Sequence, residues 1–353
     1  MGCYKVLVTG ATGFIGGSVL TQFLASEHPI LKSSTVAALV RKQGQADILE
    51  SRGVQSIVFR GLDDTKQLRH IASQFDIVVH CATGLHTKSA VALILGLGDS
   101  MKESGGQAHY IHTTETSNLA YGMVSHPDAI IHEFCDTEDV YTEEVRRDAE
   151  EHYDQRATDV AVIQTAEATG VKAYLMMPPT VFGTGLGFFK SQSIQLPFTI
   201  HHAIDQGHPE YIGDGSGTVG YVHISDLVSL YELILCKILD GIDDIPSGRQ
   251  GIYFSNTGDF TWKELNERIG EIGLSLGALG SKIPRSISLA DAWHKWGFDG
   301  NILLLETNHA GKSRTLPRLA FNIGWVPMKT AEDWDAAIEE TFKAVMIERA
   351  SHR

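Results

Sequence analysis

Near its start the chain runs Lys5-Val6-Leu7-Val8-Thr9 and then directly into Gly10-Ala11-Thr12-Gly13-Phe14-Ile15-Gly16-Gly17, and no other stretch constrains the fold as much. Each glycine has its own mechanical task. Gly10 lets the chain turn sharply off a strand, Gly13 leaves room for a pyrophosphate to reach the backbone, and Gly16 lets the next helix pack closely on the sheet. That helix offers free N–H groups and the positive end of its dipole to an anion. The spacing, the preceding strand and a following helix over Ile15–Ser26 predict a dinucleotide-binding turn, with Gly10, Thr12, Gly13, Phe14, Ile15 and Gly16 at the cofactor.

Beyond this turn, apolar β-rich runs alternate with amphipathic stretches. Strands are expected at Lys5–Thr9, Thr35–Val40, Ser56–Phe59, Ile77–His80, His109–Thr113, Lys172–Met177 and Gly251–Ser255. Helices are expected near Ile15–Ser26, Gln45–Ser51, Thr65–Ser73, Ser89–Ser104, Asp148–Thr169 and Ala331–Arg349. The alternation predicts an α/β fold, a Rossmann-type doubly wound parallel sheet. Strands buried on both faces read as continuous apolar runs, and Ile77-Val78-Val79 does so. From Pro178 onward glycine and proline become frequent and strands short. The expected division is therefore residues 1–177 plus about 251–275 as the nucleotide domain. Residues 178–250 plus about 280–353 form a smaller substrate lobe over the carboxyl ends of the strands.

A net charge of −14 argues against nucleic acid and anionic membranes as partners, because both need a basic surface. No run of 18 apolar residues occurs, and a strand begins too early to leave room for a signal peptide. Cys3, Cys81, Cys135 and Cys236 lie far apart without a CxxC pair, which fits reduced thiols, a cytoplasmic location and no metal site.

Five landmarks in order resemble the extended short-chain dehydrogenase/reductase family, which includes nucleotide-sugar epimerases and dehydratases. They are Val8–Gly16, Gly61-Leu62-Asp63-Asp64, His80-Cys81-Ala82-Thr83-Gly84, Met177-Pro178-Pro179-Thr180-Val181-Phe182-Gly183-Thr184-Gly185 and Gly220-Tyr221-Val222-His223-Ile224-Ser225-Asp226-Leu227. The resemblance implies cofactor contacts at Leu62 and Asp63 (adenine), at the turn Cys81, Ala82 and Thr83, and at Pro178, Thr180 and Val181 (nicotinamide). Tyr221 would then face the substrate. At the tip of the second strand stand Arg41 and Lys42, with no acidic residue to hold a ribose 2′-hydroxyl; an arginine there accommodates a 2′-phosphate. NADP(H) is accordingly expected in preference to NAD(H).

Members of the resembling family use a Tyr-x-x-x-Lys pair on the helix after the fifth strand, the lysine lowering the pKa of the tyrosine. None of the ten tyrosines here has lysine four positions later. Alignment on Thr158-Asp159 places Glu151 and Gln155 at the two positions; alignment on Tyr153 keeps the phenol and puts Ala157 in place of the lysine. The family's serine falls within His112–Ser117, where Thr114 or Thr116 can stand in and Glu115 can point into the site. The candidate acid–base groups are thus Thr114, Glu115, Glu151 and Tyr153, with Arg156 a nearby charge.

The loop Phe188–Ser193 follows the nicotinamide turn and offers Phe188, Lys190 and Gln192 to a substrate; His86 lies beyond the Cys81–Gly84 turn and is a further candidate. His80 and His112 end buried strands and read as structural, and His223 as a brace for a turn. Trp262, Trp293 and Trp296 can line a pocket or form core, and the acidic run Asp136–Glu151 reads as a solvated loop and helix start. Residues 178–250 hold a single arginine, Arg249, which disfavours a diphosphate-bearing substrate. A homodimer through Ser89–Ser104 and Asp148–Thr169 is what the resemblance implies. Three readings stay open: an NADP(H)-dependent oxidoreductase on a small or medium carbonyl or hydroxyl compound with a non-standard proton donor, a non-redox isomerase, dehydratase or cyclase retaining bound cofactor, and an NADP(H)-sensing regulatory protein.

Overall fold

The computed structural model describes residues 4–242, 244–296 and 301–351, so Cys3 lies outside the described residues. Seven parallel strands form the central sheet in the spatial order Ile252–Phe254, Lys172–Met177, His109–Thr113, Ile77–His80, Lys5–Thr9, Thr35–Val40 and Gln55–Val58. This is the expected doubly wound sheet. Successive side chains on one strand point to opposite faces, and both faces are apolar. Val6, Val8, Ile77 and Val79 pack beneath the helices Phe14–Ala25 and Ile224–Leu239. Leu7, Val78 and Tyr110 pack on the other side beneath Thr65–Ala72, Thr87–Ser104 and Asp154–Thr169. Each buried Val or Leu contributes about 1.5–3 kcal/mol relative to exposure, so the sheet is the stable platform on which the loops sit.

The smaller lobe is built from Thr180–Phe182, Thr218–His223 and Gly258–Thr261, with two-stranded pairs at Glu210–Ile212/Arg285–Ile287 and Phe134–Cys135/Thr315–Leu316. Its boundary differs from the sequence expectation in two places. The helix Ile224–Leu239 is apolar on the face that meets the first helix, so it belongs to the nucleotide-domain core although it lies within 178–250. The helix Trp262–Ser275 packs instead with Phe182, Tyr221, Trp334 and Phe342 in the lobe.

The single helix expected over Asp148–Thr169 is two helices, Val140–Glu150 and Asp154–Thr169. The break has a local cause. Tyr153 adopts an extended backbone (φ −137°, ψ 113°), and its N–H donates to Asp148 Oδ1 at 3.0 Å, so its ring turns inward and is buried. Nor is the acidic run wholly solvated: Asp136 and Glu144 are buried. Asp136 accepts the backbone N–H groups of Phe254 (3.2 Å) and Leu319 (2.9 Å), so it ties the last sheet strand to the short helix Arg318–Asn322.

The signature segment 220–227 also does structural work. His223 caps the helix Ile224–Leu239, accepting the Ser225 N–H at Nδ1 (3.1 Å). Asp226 is buried and accepts the N–H groups of Met328 (3.0 Å) and Lys329 (2.9 Å). Replacing it with alanine leaves two N–H groups without their acceptor. We expect Asp226→Ala to lower unfolding stability by about 3 kcal/mol, from the cost of unsatisfied buried donors, which urea denaturation followed by circular dichroism will measure.

Candidate active site

The turn after the first strand has the shape the glycine spacing predicts. Gly10 has φ +70°, and a Cβ there would collide with the Cys81 carbonyl at the end of the neighbouring strand. A Cβ on Gly16 would strike the Gly10 carbonyl, which fixes how closely the helix approaches. Gly13 is different: its Cβ would meet only the Gly10 oxygen, at 3.2 Å, so its outer side is open. The helix Phe14–Ala25 starts at Gly13 with no side-chain cap and no acidic residue in its first turn. Its leading N–H groups are therefore available to an anion. Arg41 and Lys42 are exposed at the carboxyl end of the adjacent strand, and among the described residues neither is in an ion pair. A phosphate-bearing dinucleotide fits this cradle.

Beside the turn lies a cavity of about 290 Å³, walled by Phe14, Ile15, Pro178, Val181, Ile194 and Leu304. Its polar members are Thr114, Glu115, Ser193, Gln195, Asn308 and His309. Glu115, Pro178, Pro179, Gln195 and Asn308 also border a smaller polar chamber of about 20 Å³, which Trp262 closes; that volume suits one water molecule.

Glu115 stands where the two spaces meet. Ser117 Oγ donates to Glu115 Oε1 at 2.7 Å. The Gln155 amide satisfies it twice, Nε2 donating to Glu115 Oε1 (2.8 Å) and the amide oxygen accepting the Glu115 N–H (3.1 Å). Among the described residues no lysine or arginine pairs with this carboxylate. Burial raises its pKa above the ordinary value, and hydrogen bonds from Ser117 and Asn308 oppose that shift.

Tyr153 donates from its hydroxyl to Ser117 Oγ at 3.1 Å and accepts from Asn308 Nδ2 at 3.4 Å. Its phenol is pushed up to about 12, by burial first and then by the Glu115 charge. A lysine beside the phenol would shift it the other way. Arg156 does not replace that lysine: its guanidinium lies over the Tyr153 ring, 5.4 Å from the centroid, and donates to the Asn118 carbonyl at 2.9–3.0 Å. Ser117, rather than Thr114 or Thr116, is thus the hydroxyl beside the tyrosine.

Thr114 borders the cavity but turns its hydroxyl away, donating to Asp159 Oδ2 at 2.6 Å. Asn118 joins the same buried group, donating to Asp159 Oδ2 (2.7 Å) and Glu144 Oε1 (2.9 Å). His112 Nε2 lies 3.4 Å from Asp159 Oδ1, and burial holds its pKa down at about 3, so the imidazole is neutral. Burial pushes Asp159 up to about 7 and raises Glu144, whose shift Asp159 reinforces. Enclosure thus moves both carboxyl groups toward their protonated forms.

Other expected residues lie elsewhere. Glu151 is exposed at the helix break and lines neither space. His86 caps the helix Thr87–Ser104 and bonds Asp63 Oδ1 at 3.1 Å, which occupies both ring nitrogens. Leu62 packs against the core, and Thr83 Oγ1 accepts the Leu85 N–H at 3.1 Å. Cys81 and Ala82 back the Gly10 turn. Thr180 borders the small chamber.

The loop expected to carry substrate contacts instead clasps the first helix. Leu186 N–H donates to Ser18 Oγ (2.9 Å), and Gly187 lies against Gly17, with no room for a Cβ. Phe188 turns to Arg52, Lys190 is exposed, and neither they nor Gln192 line the cavity; Ser193, Ile194 and Gln195 do. Tyr221 stacks on Trp334 in the lobe core, centroids 4.7 Å apart, and is not a cavity residue. Arg249 pairs with Glu167 on the exterior. Two contributors were missed. Ser117 was at hand in the quoted run but needed the partner Tyr153 to single it out; Asn308 arrives from the distant helix Ile302–His309 and left no motif.

Residues 6–243 match the profile described as the NAD dependent epimerase/dehydratase family. The chain belongs to that family. It is 24% identical to Oxidase ucsJ of Acremonium sp, over 82% of this chain and 84% of the relative. It is 27% identical to a dTDP-4-dehydro-6-deoxy-D-allose reductase of Streptomyces bikiniensis, over 63% of this chain and 70% of the relative. Among solved structures, DesIV, a dTDP-glucose 4,6-dehydratase of Streptomyces venezuelae with NAD bound, superposes with a TM-score of 0.64 at 16% identity, covering 98% of each chain. UDP-glucose 4-epimerase of Thermotoga maritima gives 0.61 at 16% identity, covering 99% of this chain and 100% of that one. These structures share the family fold. Among the described residues no helix is long and apolar enough to cross a membrane, and no three His, Cys, Asp or Glu side chains form a metal-sized group.

The buried carboxyl pair gives a signed pH effect. Asp159 is raised from 3.8 to about 7 in the folded state, so the unfolded chain loses that proton first as pH rises. Stability contributed by this group is therefore greatest below pH 4 and is lost on the way to pH 7. Asp159→Asn removes the titration: its urea midpoint should fall less than the wild type's between pH 5 and pH 7.5.

Proposed function

We propose that the chain is an NADP(H)-dependent oxidoreductase acting on a small or medium, largely apolar carbonyl or hydroxyl compound, with Glu115 in place of a lysine-activated tyrosine as its proton-handling group. The observation that carries this reading is the position of Glu115: a carboxyl group without a cationic partner, held by Ser117 and Gln155 at the edge of a mostly apolar cavity beside the dinucleotide turn. A carboxyl group whose pKa burial raises above its ordinary value gives and regains a proton more readily than an exposed carboxylate does. The names of the oxidase and reductase relatives are in line with redox chemistry.

A bound nicotinamide dinucleotide supplies or accepts a hydride. Gly13, Ile15 and the N–H groups of the first helical turn would hold its pyrophosphate, Arg41 and Lys42 its 2′-phosphate, and Pro178 and Val181 its nicotinamide end. The remaining work falls to the chain's own side chains. Phe14, Ile194 and Leu304 give the reacting group an apolar wall. Ser117 and Asn308 fix the Glu115 carboxyl and the Tyr153 hydroxyl. Glu115 Oε2 then moves the proton, and Tyr153, with its raised pKa, stays protonated and braces Ser117 behind it. With no arginine among the described residues of the cavity wall, a nucleotide diphosphate finds no counter-charge there.

Arg41→Ala should weaken NADPH binding about tenfold or more, the range of a lost charge-assisted contact, and leave NADH binding nearly unchanged. Quenching of protein fluorescence by the two nucleotides reads this; an equal loss for both contradicts the preference. Glu115→Gln should lower the rate of NADPH consumption with a turned-over carbonyl compound by about 10²–10⁴, and Tyr153→Phe by less. Unchanged turnover in the first variant removes Glu115 from the reaction.

A further inference from the structure

The charge pattern of the cavity selects a ligand class. Among the described residues the cavity wall contains no lysine or arginine. His309 reaches it, but burial and the nearby His202 hold that imidazole's pKa down at about 3, so it brings no positive charge near neutral pH. Thr114, Ser193, Gln195 and Asn308 are neutral. Among the described residues Glu115 is thus the one ionisable wall group able to carry charge there near pH 7, and that charge is negative. An apolar surround makes a lone charge costly and makes an opposite charge on a ligand correspondingly favourable.

We propose that this cavity takes an apolar ligand bearing one basic nitrogen, an amine or an imine, and that Glu115 is the counter-ion of that nitrogen in its protonated form. The proposal rests on the reading that Glu115 faces the substrate in this crevice, and it puts the nitrogen pair, imine and amine, in place of that reading's carbonyl and hydroxyl. When a neutral nitrogen arrives, the proton leaves Glu115 Oε2 for the nitrogen lone pair; one O–H bond breaks and one N–H bond forms. Carboxylate and cation remain side by side, with no net charge change. When the nitrogen arrives already protonated, it meets the carboxylate directly.

The same chemistry accounts for the missing lysine. A carbonyl oxygen is barely basic and calls for a strong positioned donor, which a lysine-activated phenol provides. A basic nitrogen takes a proton from a carboxyl group at equilibrium near neutral pH. The phenol of Tyr153, pushed up to about 12, is then a hydrogen-bonding partner for Ser117 and Asn308, and nothing needs to activate it. The apolar wall at Phe14, Pro178, Ile194 and Leu304 receives the hydrocarbon part of the ligand.

The test compares two probes of nearly the same shape, 1,2,3,4-tetrahydroisoquinoline, a cation at pH 7, and isochroman, its neutral oxygen counterpart. Binding to the full chain is followed by isothermal titration calorimetry with and without saturating NADPH. The expected result is at least tenfold tighter binding of the amine by the wild type, and a preference of less than twofold in Glu115→Gln with isochroman affinity unchanged. Equal affinities in the wild type overturn the proposal, as does a preference that survives in Glu115→Gln. Circular dichroism checks that the variant is folded; if it is not, the wild-type comparison decides alone. NADPH affinity measured in the same samples separates the two readings. Tight NADPH binding without an amine preference removes this inference and leaves the oxidoreductase proposal, whereas an amine preference without NADPH binding does the reverse.

Discussion

The architecture depends on how closely the first strand–turn–helix approaches the end of the fourth strand. Gly10 lies against the Cys81 carbonyl and Gly16 against the Gly10 carbonyl, with no space for a side chain at either place. This contact sets the helix start at the carboxyl edge of the sheet, with its N–H groups open on one side. It also sets the floor of the crevice, because Phe14 and Ile15 of that helix become walls of the cavity. The loop after Phe182 completes the arrangement by resting Gly187 on Gly17. The lobe can be elaborated freely above this floor, while the nucleotide cradle stays fixed by backbone contacts.

The chemistry above that floor is a question of charge. Fold membership gives a dinucleotide site and a place for a proton-handling group, but it does not say which group. Removal of a lysine from beside a tyrosine leaves the phenol under the influence of burial and of Glu115, and both raise its pKa. The proposed function gives the acidic role to the carboxyl group, whose pKa burial also raises. Behind it, Thr114, Asn118, Glu144 and Asp159 form an enclosed polar layer that holds the segment 114–118 in place. Thr114 belongs to that supporting layer even though it also borders the cavity.

Most of the sheet was legible in the sequence, because a strand buried on both faces must be apolar throughout and a glycine-rich turn has few alternatives. The strands Lys5–Thr9, Ile77–His80, His109–Thr113 and Lys172–Met177 have the expected bounds. Assignment of elements to lobes was less legible, since an apolar helix such as Ile224–Leu239 does not announce which partner it covers. The break at Glu151–Tyr153 was hidden for a related reason: one hydrogen bond from Tyr153 N–H to Asp148 outweighed helical continuity. Within the site, Glu115 and Tyr153 stood out by residue type and place. Their connection through Ser117, Gln155 and Asn308 depends on contacts between segments up to 193 positions apart in the numbering (115 to 308), and no local pattern encodes it.

The central proposal is that a carboxyl group, rather than an activated phenol, handles the proton of this crevice. Titration of ¹³C-labelled glutamate side chains by NMR, with the Glu115 signal assigned by its loss in Glu115→Gln, measures this directly. The account predicts that Glu115 titrates above the ordinary glutamate value of 4.5. A Glu115 that titrates at or below that value would contradict it, because its surroundings would then not favour the protonated carboxyl.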